Sequence, residues 1–319
     1  MRRRGVMVAG VVALAVLAGA GWYAISQDVR PFRASDQCTA EVGDQSVLLD
    51  PSQARYAGLI AAIAVQRGLP ARAASIALAT AYQESNLHNL RGGDRDSAGL
   101  FQQRPSQGWG TLEEVRDPVH AANAFYDALE KVDGYQQLEI TVAAQEVQRS
   151  GFPDAYADHE ADARALASAL TGNSPATFSC RLGGADEDSA VLEDSGLTAR
   201  ADAVRRDLAA TFPDQPLGGF APGGVSTGHM KGSAHYDGRA VDVFVRPISK
   251  ANRTRGWAIA AYLVSQADRL SIRTVIFDDR IWTSGSRSGD GWRDYDPPER
   301  SGDPAILEHR DHVHVDVYE

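Results

Sequence analysis

The sequence predicts a multi-domain fold in which a mainly α region is followed by an α+β region, after an N-terminal transmembrane helix or signal segment. Three observations predict this arrangement. An uncharged apolar run follows the arginines at positions 2–4, alanine-rich segments with helical spacing occupy residues 51–181, and short apolar runs typical of strands alternate with helical segments over 196–319. The length of 319 residues suits about two globular domains.

The N-terminal segment, residues 1–25, is predicted to lie outside the globular fold. Arginines at positions 2–4 precede an apolar run that extends to about Ile25. About 20 apolar residues can cross a bilayer as a helix, and the arginines would stay on the cytoplasmic side. The alternative is a cleaved signal peptide, because the small residues at positions 18–20 offer a processing site. Both alternatives export the chain, so we expect an extracytoplasmic protein that is membrane-anchored by a single helix or secreted.

Composition bears on the partners and on the redox state of the chain. The formal net charge is −10 at pH 7, so the chain offers no broad basic surface and nucleic acid is not an expected partner. The chain has two cysteines, Cys38 and Cys180, which flank the first region. Outside the cytoplasm an isolated pair usually forms a disulfide; the alternative is two free, buried thiols.

The order of the predicted elements separates two regions. Residues 26–50 are predicted to form a polar tether, and the acidic stretch 182–195 is predicted to link regions 51–181 and 196–319. In the first region, helices are predicted over residues 52–66, 72–85, 118–131, 141–149 and 155–170. In the second region, we expect helices over 199–211 and 252–269, and strands over 240–245, 273–277 and 312–318.

Glu84 is the candidate catalytic residue of the first region. It lies at the end of an otherwise apolar helix and is followed by a polar, glycine-containing stretch. Cleavage of a glycosidic bond needs a proton donor, and burial against an apolar wall raises the pKa of a carboxyl group towards neutrality. Gln102, Gln103 and Trp109 could line the cleft, where they would hydrogen-bond sugar hydroxyls and stack on a ring.

A resemblance supports this interpretation. Glu84-Ser85 followed by Ser97–Gln102 (SAGLFQ), with the Asp117-Pro118 helix and the later stretch AAQEVQRSGFPDAYA, resembles the lytic transglycosylase branch of the lysozyme-like superfamily. The resemblance covers about residues 51–172. It implies a lysozyme-like domain in which Glu84 is the general acid/base acting on peptidoglycan glycan strands.

Two features of this region bear on catalysis. Residues 145–151 depart from the aromatic-Asn-Ala-Gly type segment that the resemblance leads us to expect there. Asp94 and Asp96 could supply a second carboxylate, or they could be ordinary surface residues. In the second case the N-acetyl and 6-hydroxyl groups of the substrate would do that work, as the resemblance implies.

Two segments of the second region suggest a metal site: Ser233–Asp242 (SAHYDGRAVD) and His309–Asp316 (HRDHVHVD). A catalytic zinc site needs about three protein ligands and an open position. Because side chains alternate along a strand, Asp242 should face away from the neighbouring valines, and His314 should share a face with His312. Pairing of the two strands would then bring together His235, Asp242 and His314.

A base must take the proton from the attacking water. His312 is one candidate, because it shares a face with His314. Asp311 is another, if the strand starts late enough to let its side chain turn inward. The sequence leaves both residues open.

The combined pattern Ser-x-His-x-x-Gly-x-Ala-x-Asp and His-x-His resembles the zinc D,D-peptidases related to D-alanyl-D-alanine carboxypeptidases, over about residues 196–319. The resemblance implies Zn²⁺ as cofactor, His235, Asp242 and His314 as its ligands, and Ser233 as a support behind them. These peptidases often hold the substrate carboxylate with an upstream arginine, whereas the segment 218–231 offers Lys231 and His229 only. The more distant Arg239, Arg246 and Arg280 are predicted to be surface residues.

Three functional hypotheses follow from the two resemblances. The first is a bimodular peptidoglycan-remodelling hydrolase, which cuts glycan strands with Glu84 and stem peptides with zinc. The second is a non-catalytic cell-wall-binding or scaffold protein, and the third combines one active domain with one binding domain. Peptidoglycan is the expected partner in each, with membrane contact through the N-terminal helix.

Overall fold

A computed structural model describes residues 36–186, 188–297 and 302–319. The predicted membrane or signal segment, residues 1–25, lies outside the described residues. Within the described part of the chain, no helix combines the length and the apolarity needed to cross a membrane.

The first region is built mainly from helices whose ends are explained by local sequence. They are α1 (Pro51–Gln66), α2 (Ala71–Ser85), α3 (Leu112–Arg116), α4 (Pro118–Leu129), α5 (Ile140–Gln148) and α6 (Glu160–Leu170). The Asp50 and Gln53 side chains form a capping box at the start of α1. Helix α2 ends at Asn86, which adopts the left-handed conformation with φ 51° and so turns the chain sharply after Glu84. The predicted helices over 52–66, 72–85, 118–131 and 141–149 are confirmed with shifts of one or two residues at their ends. The predicted helix over 155–170 is α-helical only from Glu160, because residues Ala155–His159 form a 3-10 helix.

The predicted tether over residues 26–50 is wrong for its second half. Residues 37–49 form strands β1 (Gln37–Val42) and β2 (Gln45–Leu49), and β1 also pairs with β3 (Phe178–Arg181). The alternation of the short β1 strand is obscured in sequence by its polar residues, and its partner β3 lies far along the chain. The predicted disulfide is present: Cys38 and Cys180 lie directly opposite each other in the β1–β3 pair and are bonded.

The second region is one antiparallel sheet with helices against it. Its helices are α7 (Ala199–Thr211), α8 (Lys250–Ser265), α9 (Ala267–Leu270) and α10 (Pro304–Leu307). Its strands are β4 (Leu217–Gly218), β5 (Ala240–Phe244), β6 (Ile272–Phe277), β7 (Arg280–Thr283), β8 (Arg293–Asp294) and β9 (His312–Val317). They are ordered β4-β5-β9-β6-β7-β8, so β9 lies between β5 and β6 in the middle of the sheet.

The two regions share a core, and residues Asp36–Glu319 form one compact unit. Helix α8 lies against α1, where a Cβ on Gly58 would come within 2.0 Å of Ser265 Oγ. A Cβ on Gly172 would likewise meet the Thr254 carbonyl oxygen at 2.0 Å. Only residues without a side chain allow such a close approach, so the contact depends on both glycines.

Two tryptophans join the large sheet region to the small sheet. The indole of Trp282 is fully buried and donates to the Cys180 carbonyl at 3.1 Å. The indole of Trp292 donates to the Phe178 carbonyl at 2.7 Å. Both bonds end on β3, so the strand that carries the disulfide is also the strand that meets the second region.

Candidate functional site

Glu84 emerges at the end of α2 into the turn that follows. Ser85 fastens that turn, because its hydroxyl donates to the Leu100 carbonyl at 2.7 Å. The phenol of Tyr156 donates to Glu84 Oε1 at 2.6 Å. Burial raises the pKa of Glu84, and hydrogen bonds from Tyr156 and Gln148 oppose that shift without cancelling it. A carboxyl group in this setting holds its proton to higher pH than an exposed glutamate does.

The residues expected to bind glycan divide into two groups. Trp109 is half-buried and lines a cavity of about 830 Å³ together with Gln148, whose amide donates to the Phe101 carbonyl at 2.7 Å. Gln103, by contrast, is only 2% exposed, and its amide donates to the Ala121 carbonyl at 3.1 Å. The expected sugar contact of Gln103 is therefore corrected: its amide is used inside the fold.

Gln102 is also engaged within the turn. Its amide donates to the Gly99 carbonyl at 3.0 Å and its oxygen accepts from Ser97 at 3.0 Å. Gln102 has a positive φ of 46°, which few residues other than glycine adopt. The side chain thus stabilises a strained turn beside Glu84.

The two acidic residues considered as a second carboxylate have different surroundings. Asp96 accepts hydrogen bonds from the backbone N–H of Ser106 at 2.8 Å and from Arg104 at 2.7 Å, and both lower its pKa. The side chain of Asp94 is 92% exposed. Asp96 therefore ties the turn to the following segment.

The strand register of the second region brings the predicted metal ligands together. Asp242 in β5 lies directly opposite His314 in β9, and His235 lies in the short 3-10 helix Ala234–Asp237 just before β5. His235 Nε2 lies 3.1 Å from His314 Nδ1, and Asp242 Oδ1 lies 3.2 Å from each of these nitrogens. Ligands around a tetrahedral zinc are about 3.3 Å apart, given its usual bond lengths. We refer to these three residues as the donor triad.

The second ring nitrogen of each histidine has a partner that orients it. His235 Nδ1 lies 2.8 Å from the Gly219 carbonyl oxygen, and His314 Nε2 lies 3.4 Å from Asp316 Oδ2. If these nitrogens carry the protons, the lone pairs of His235 Nε2 and His314 Nδ1 face each other across the triad. Such outer partners hold ligands in place at metal sites.

Position 219 needs a glycine for two reasons, the backbone conformation and the lack of space for a side chain. Its φ is 81°, and a Cβ there would lie 2.3 Å from His235 Cε1 and 3.0 Å from Asp242 Oδ2. The predicted support by Ser233 takes another form: its hydroxyl accepts from the backbone N–H of His235 at 3.4 Å. Ser233 thus holds the start of the short helix and does not contact the imidazole through this bond.

The buried charges favour an ionised carboxylate in the triad. Burial would raise the pKa of Asp242, but hydrogen bonds from His235 and His314 lower it well below its usual range. Burial would lower the pKa of His314, but Asp242 and Asp316 raise it to about 9. A divalent cation would take over the role that the proton on His314 plays in balancing these carboxylates.

His229, which is not predicted as a metal ligand from sequence, also lies beside the triad. Ligand atoms of His229, His235 and Asp242 lie within 4.8 Å of one another. However, the His229 ring stacks on the His235 ring, with centroids 3.9 Å apart and an interplanar angle of 19°. Lone pairs of nearly parallel rings do not converge, so His314 fits better as the third donor.

His312 and Asp311, the two candidate bases, contact each other. His312 Nδ1 lies 2.7 Å from Asp311 Oδ1, and its Nε2 lies 3.9 Å from Asp242 Oδ1. Arg246 donates to Asp311 Oδ2 at 2.7 Å. His312 therefore presents Nε2 to the triad, while Asp311 and Arg246 stand behind it.

Two arginines expected at the surface make structural contacts. Arg246 is partly exposed, yet its guanidinium is bound to Asp311 as described above. Arg239 is only 8% exposed and donates to the Val317 carbonyl at 3.2 Å. The sequence pattern could not reveal these contacts, because both depend on the pairing of β5 with β9.

His309 was not assigned a role from sequence, although it belongs to the motif segment. Its ring lies 4.6 Å from that of His312 and 5.6 Å from that of His314, between centroids. Burial, together with the neighbouring histidines, lowers its pKa to about 2. His309 has a φ of 54°, a conformation that non-glycine residues rarely adopt, so the turn before β9 is strained where it meets the site.

The donor triad lies in a cavity of about 430 Å³. Apolar side chains from β6, β7 and α10 form one wall, among them Ile276, Ile281 and Leu307. Lys231 and Arg273 also line it. The cavity therefore combines a buried set of atoms that could bind a metal ion with apolar surface and positive charge.

Comparison with known protein families finds a match in the second region. The profile of a protein family described as VldE, C-terminal domain, matches residues 193–305. The matched stretch is about a third of the chain; it includes His235 and Asp242 and ends before β9. No curated protein matches the chain.

Proposed function

We propose that the protein is an exported peptidoglycan hydrolase with two active sites, one that cleaves stem peptides with zinc and one that cleaves glycan strands with Glu84. The donor triad carries the proposal. Two imidazole nitrogens and one carboxylate oxygen, 3.1–3.2 Å apart and buried in a cavity, fit the ligand set of a catalytic zinc.

In this proposal the residues of the peptidase site have distinct roles. Zinc held by His235, Asp242 and His314 would supply the Lewis-acid chemistry that polarises an amide carbonyl and acidifies water. His312 accepts the proton of the attacking water at Nε2 and returns it to the leaving amine. Asp311 is a positioning residue, since its contact with His312 Nδ1 keeps Nε2 directed at the substrate.

The proposed glycan site uses a single glutamic acid. Glu84 protonates the glycosidic oxygen, which its raised pKa favours, and Tyr156 holds the carboxyl group in one orientation. The half-buried Trp109 offers a sugar ring a stacking surface in the neighbouring cavity.

A second candidate function for the first region is glycan binding without cleavage. It is favoured by Asp96, whose carboxylate is already bound by Ser106 and Arg104 and so is withdrawn from a catalytic pair. Cleavage assisted by the substrate's own groups needs no second carboxylate. Glycan cleavage and glycan binding are therefore distinguished by whether fragments are released.

Metal analysis and product analysis test the peptidase site. We expect one zinc per chain in the purified protein and none in His235→Ala. His88→Ala is the control and should keep the normal zinc content, because His88 lies in the first region beside Asp50. Amino groups released from purified cell wall should disappear on chelation and return with zinc. A folded, zinc-free wild-type protein would contradict the proposal.

Release of glycan fragments tests the first site in the same digest. Glu84→Gln should abolish fragment release and leave peptide cleavage unchanged. Glu146→Gln removes an exposed carboxylate that lines the neighbouring cavity and is the matched control. Unchanged release from Glu84→Gln would remove Glu84 from the mechanism, and a wild-type protein that binds glycan without releasing fragments would favour the second candidate.

A further inference from the structure

A second cavity, of about 430 Å³, lies beside the segment that carries His235. It is bounded by the acidic stretch 182–195, by the start of α7, by the 3-10 helix Ala234–Asp237 and by the two residues after β9. We refer to it as the linker cavity. Arg239 lines both the linker cavity and the cavity of the donor triad, so the two cavities adjoin at this side chain.

Two buried polar atoms at the linker cavity have no partner. The hydroxyl of Thr198 and the Nε–H of Arg239 make no hydrogen bond with any residue that the structure describes. Both residues line the cavity, and Thr198 is only 4% exposed. Thr198 is the N-cap of α7, where a threonine hydroxyl usually accepts a backbone N–H, but this hydroxyl does not cap the helix. Because an unpartnered buried polar group costs free energy, these two atoms indicate a site for a hydrogen-bonding ligand.

The charged groups around the linker cavity restrict the chemistry of that ligand. Arg200 is paired with Asp188 at 3.2 Å, and Arg239 is paired with Asp237 at 2.9 Å. The carboxylate of Glu319 also lines the cavity, so three carboxylates surround two guanidinium groups and disfavour an anion. An ammonium group cannot accept a hydrogen bond from Arg239 Nε–H. The unpartnered atoms therefore favour a neutral group that both accepts and donates a hydrogen bond.

We propose that the linker cavity binds a sugar that carries an acetamido group. Arg239 Nε–H donates to the acetamido carbonyl oxygen, and the acetamido N–H donates to the Thr198 hydroxyl oxygen. The backbone N–H of Thr198 donates to the Gly238 carbonyl at 2.8 Å, which holds the two side chains in neighbouring parts of the wall. Tyr236 and Tyr318 offer ring faces to the apolar side of the sugar. The volume is in the range of small-molecule sites.

Binding in the linker cavity acts on the donor triad through the residues beside His235. Tyr236 follows His235 in the chain, and its hydroxyl accepts from the backbone N–H of His229 at 3.0 Å. The His229 ring stacks on the His235 ring. A sugar held by Tyr236 and Arg239 therefore stabilises the short helix that carries His235, and it raises the affinity of the triad for zinc. This part rests on the proposed function and adds regulation to the peptidase site.

The first test is calorimetry on the full-length protein with N-acetylglucosamine and glucose, which differ in the acetamido group. We expect N-acetylglucosamine to bind at least about tenfold more tightly. Thr198→Val removes the hydroxyl at nearly constant volume and should weaken binding about threefold to tenfold. Ala190→Trp fills the cavity from an exposed position and should abolish binding. Thr39→Val, on β1 of the small sheet, is the matched control and should leave binding unchanged.

Two further measurements locate the bound sugar. The titrations are repeated in Trp109→Ala, so that binding at the proposed glycan site is counted separately. Retention on insoluble chitin, a polymer of the same acetamido sugar, distinguishes a glycan strand from a released fragment as the source of the ligand. In either case binding should be weakened by Thr198→Val and lost in Ala190→Trp.

The coupling is tested by zinc titration with and without N-acetylglucosamine. The sugar should raise zinc affinity at least about fivefold, and zinc should raise sugar affinity by the same factor. Equal binding of the two sugars, or binding unchanged in both Thr198→Val and Ala190→Trp, would overturn the inference and leave the peptidase proposal intact. Selective sugar binding without effect on zinc affinity would overturn the coupling. Selective sugar binding by a protein that holds no zinc would support the sugar site and contradict the peptidase proposal.

Discussion

The two candidate sites are built in different ways. The donor triad joins residues of β5, β9 and the turn before β5, and the pairing of Asp242 with His314 sets its geometry. Glu84 stands at a helix end, and its partner Tyr156 comes from the 3-10 helix Ala155–His159, far along the chain. Strand register fixes the relative positions of side chains on neighbouring strands. A site at a helix end depends on loops and tertiary packing to bring in its other residues.

This difference has a chemical consequence. In the triad, each histidine uses one nitrogen for an outer partner and turns the other inward, so three donor atoms meet at one point. At Glu84 one carboxyl group is tuned by burial and two hydrogen bonds. The first arrangement suits a metal ion and the second suits proton transfer, and the predictions below test each.

The largest effect is expected at His312. His312→Gln removes the proposed base and should lower the rate of peptide cleavage by about 10² to 10⁴-fold. Zinc content should stay normal, because the triad is untouched. Single-turnover cleavage and metal analysis on the same preparation check both parts, and loss of zinc in this variant would assign His312 to the metal site.

An intermediate effect is expected at Gly219. Gly219→Ala places a methyl group against His235 in a backbone conformation that favours glycine, so the imidazole must shift. The Gly219 carbonyl is the outer partner that orients His235, and disturbing such a partner typically lowers metal affinity by about 10 to 100-fold. Competition with a zinc indicator measures the zinc affinity. Gly223→Ala is the control for backbone strain without a steric clash, because Gly223 has a φ of 80° and no atom lies within 4 Å of its Cβ position.

The smallest effect concerns the stability of the first region. Burial raises the pKa of Glu84 in the folded protein above its usual 4.5. As pH rises, Glu84 therefore loses its proton in the unfolded chain before it does so in the folded protein. The free energy of unfolding falls over the pH range between these two pKa values and is constant above it. Glu84→Gln should therefore match the wild-type melting temperature at about pH 4 and exceed it slightly at neutral pH. Thermal scans across that range check the sign; a difference independent of pH would show that ionisation is not its cause.

Sequence alone predicted the parts of the fold that depend on regular periodicity. The alternation of valines with Asp242 and His314 was enough to predict that the two strands would pair and the triad would converge. The register shift in β6 between Ile272 and Thr274 could not be predicted, because a bulge cannot be recognised in one strand without its partner. The strands Gln37–Val42 and Gln45–Leu49 were not predicted for a related reason. Their polar residues weaken the apolar alternation, and the third strand of their sheet, Phe178–Arg181, is distant in sequence.

The neighbours of the two sites were harder to predict. Gly219 and His309 act through backbone conformations with positive φ, which no short pattern specifies. Gln103 is predicted to hydrogen-bond sugar hydroxyls in the cleft, yet its amide donates to the Ala121 carbonyl in the interior. Tyr156 lies in a stretch that was assigned to the first region, but only the tertiary fold shows that its hydroxyl reaches Glu84.

The glycine contacts at α8 bear on how closely the two described regions are joined. Gly58 lets the backbone of α1 meet the Ser265 side chain, and Gly172 lets the first region meet the Thr254 carbonyl of α8, so the two regions approach closely at both places. The acidic stretch 182–195, predicted as a linker, therefore joins two regions that pack against each other. Because Asp36–Glu319 is one compact unit, a polymer long enough to reach both candidate clefts would meet them at a fixed spacing.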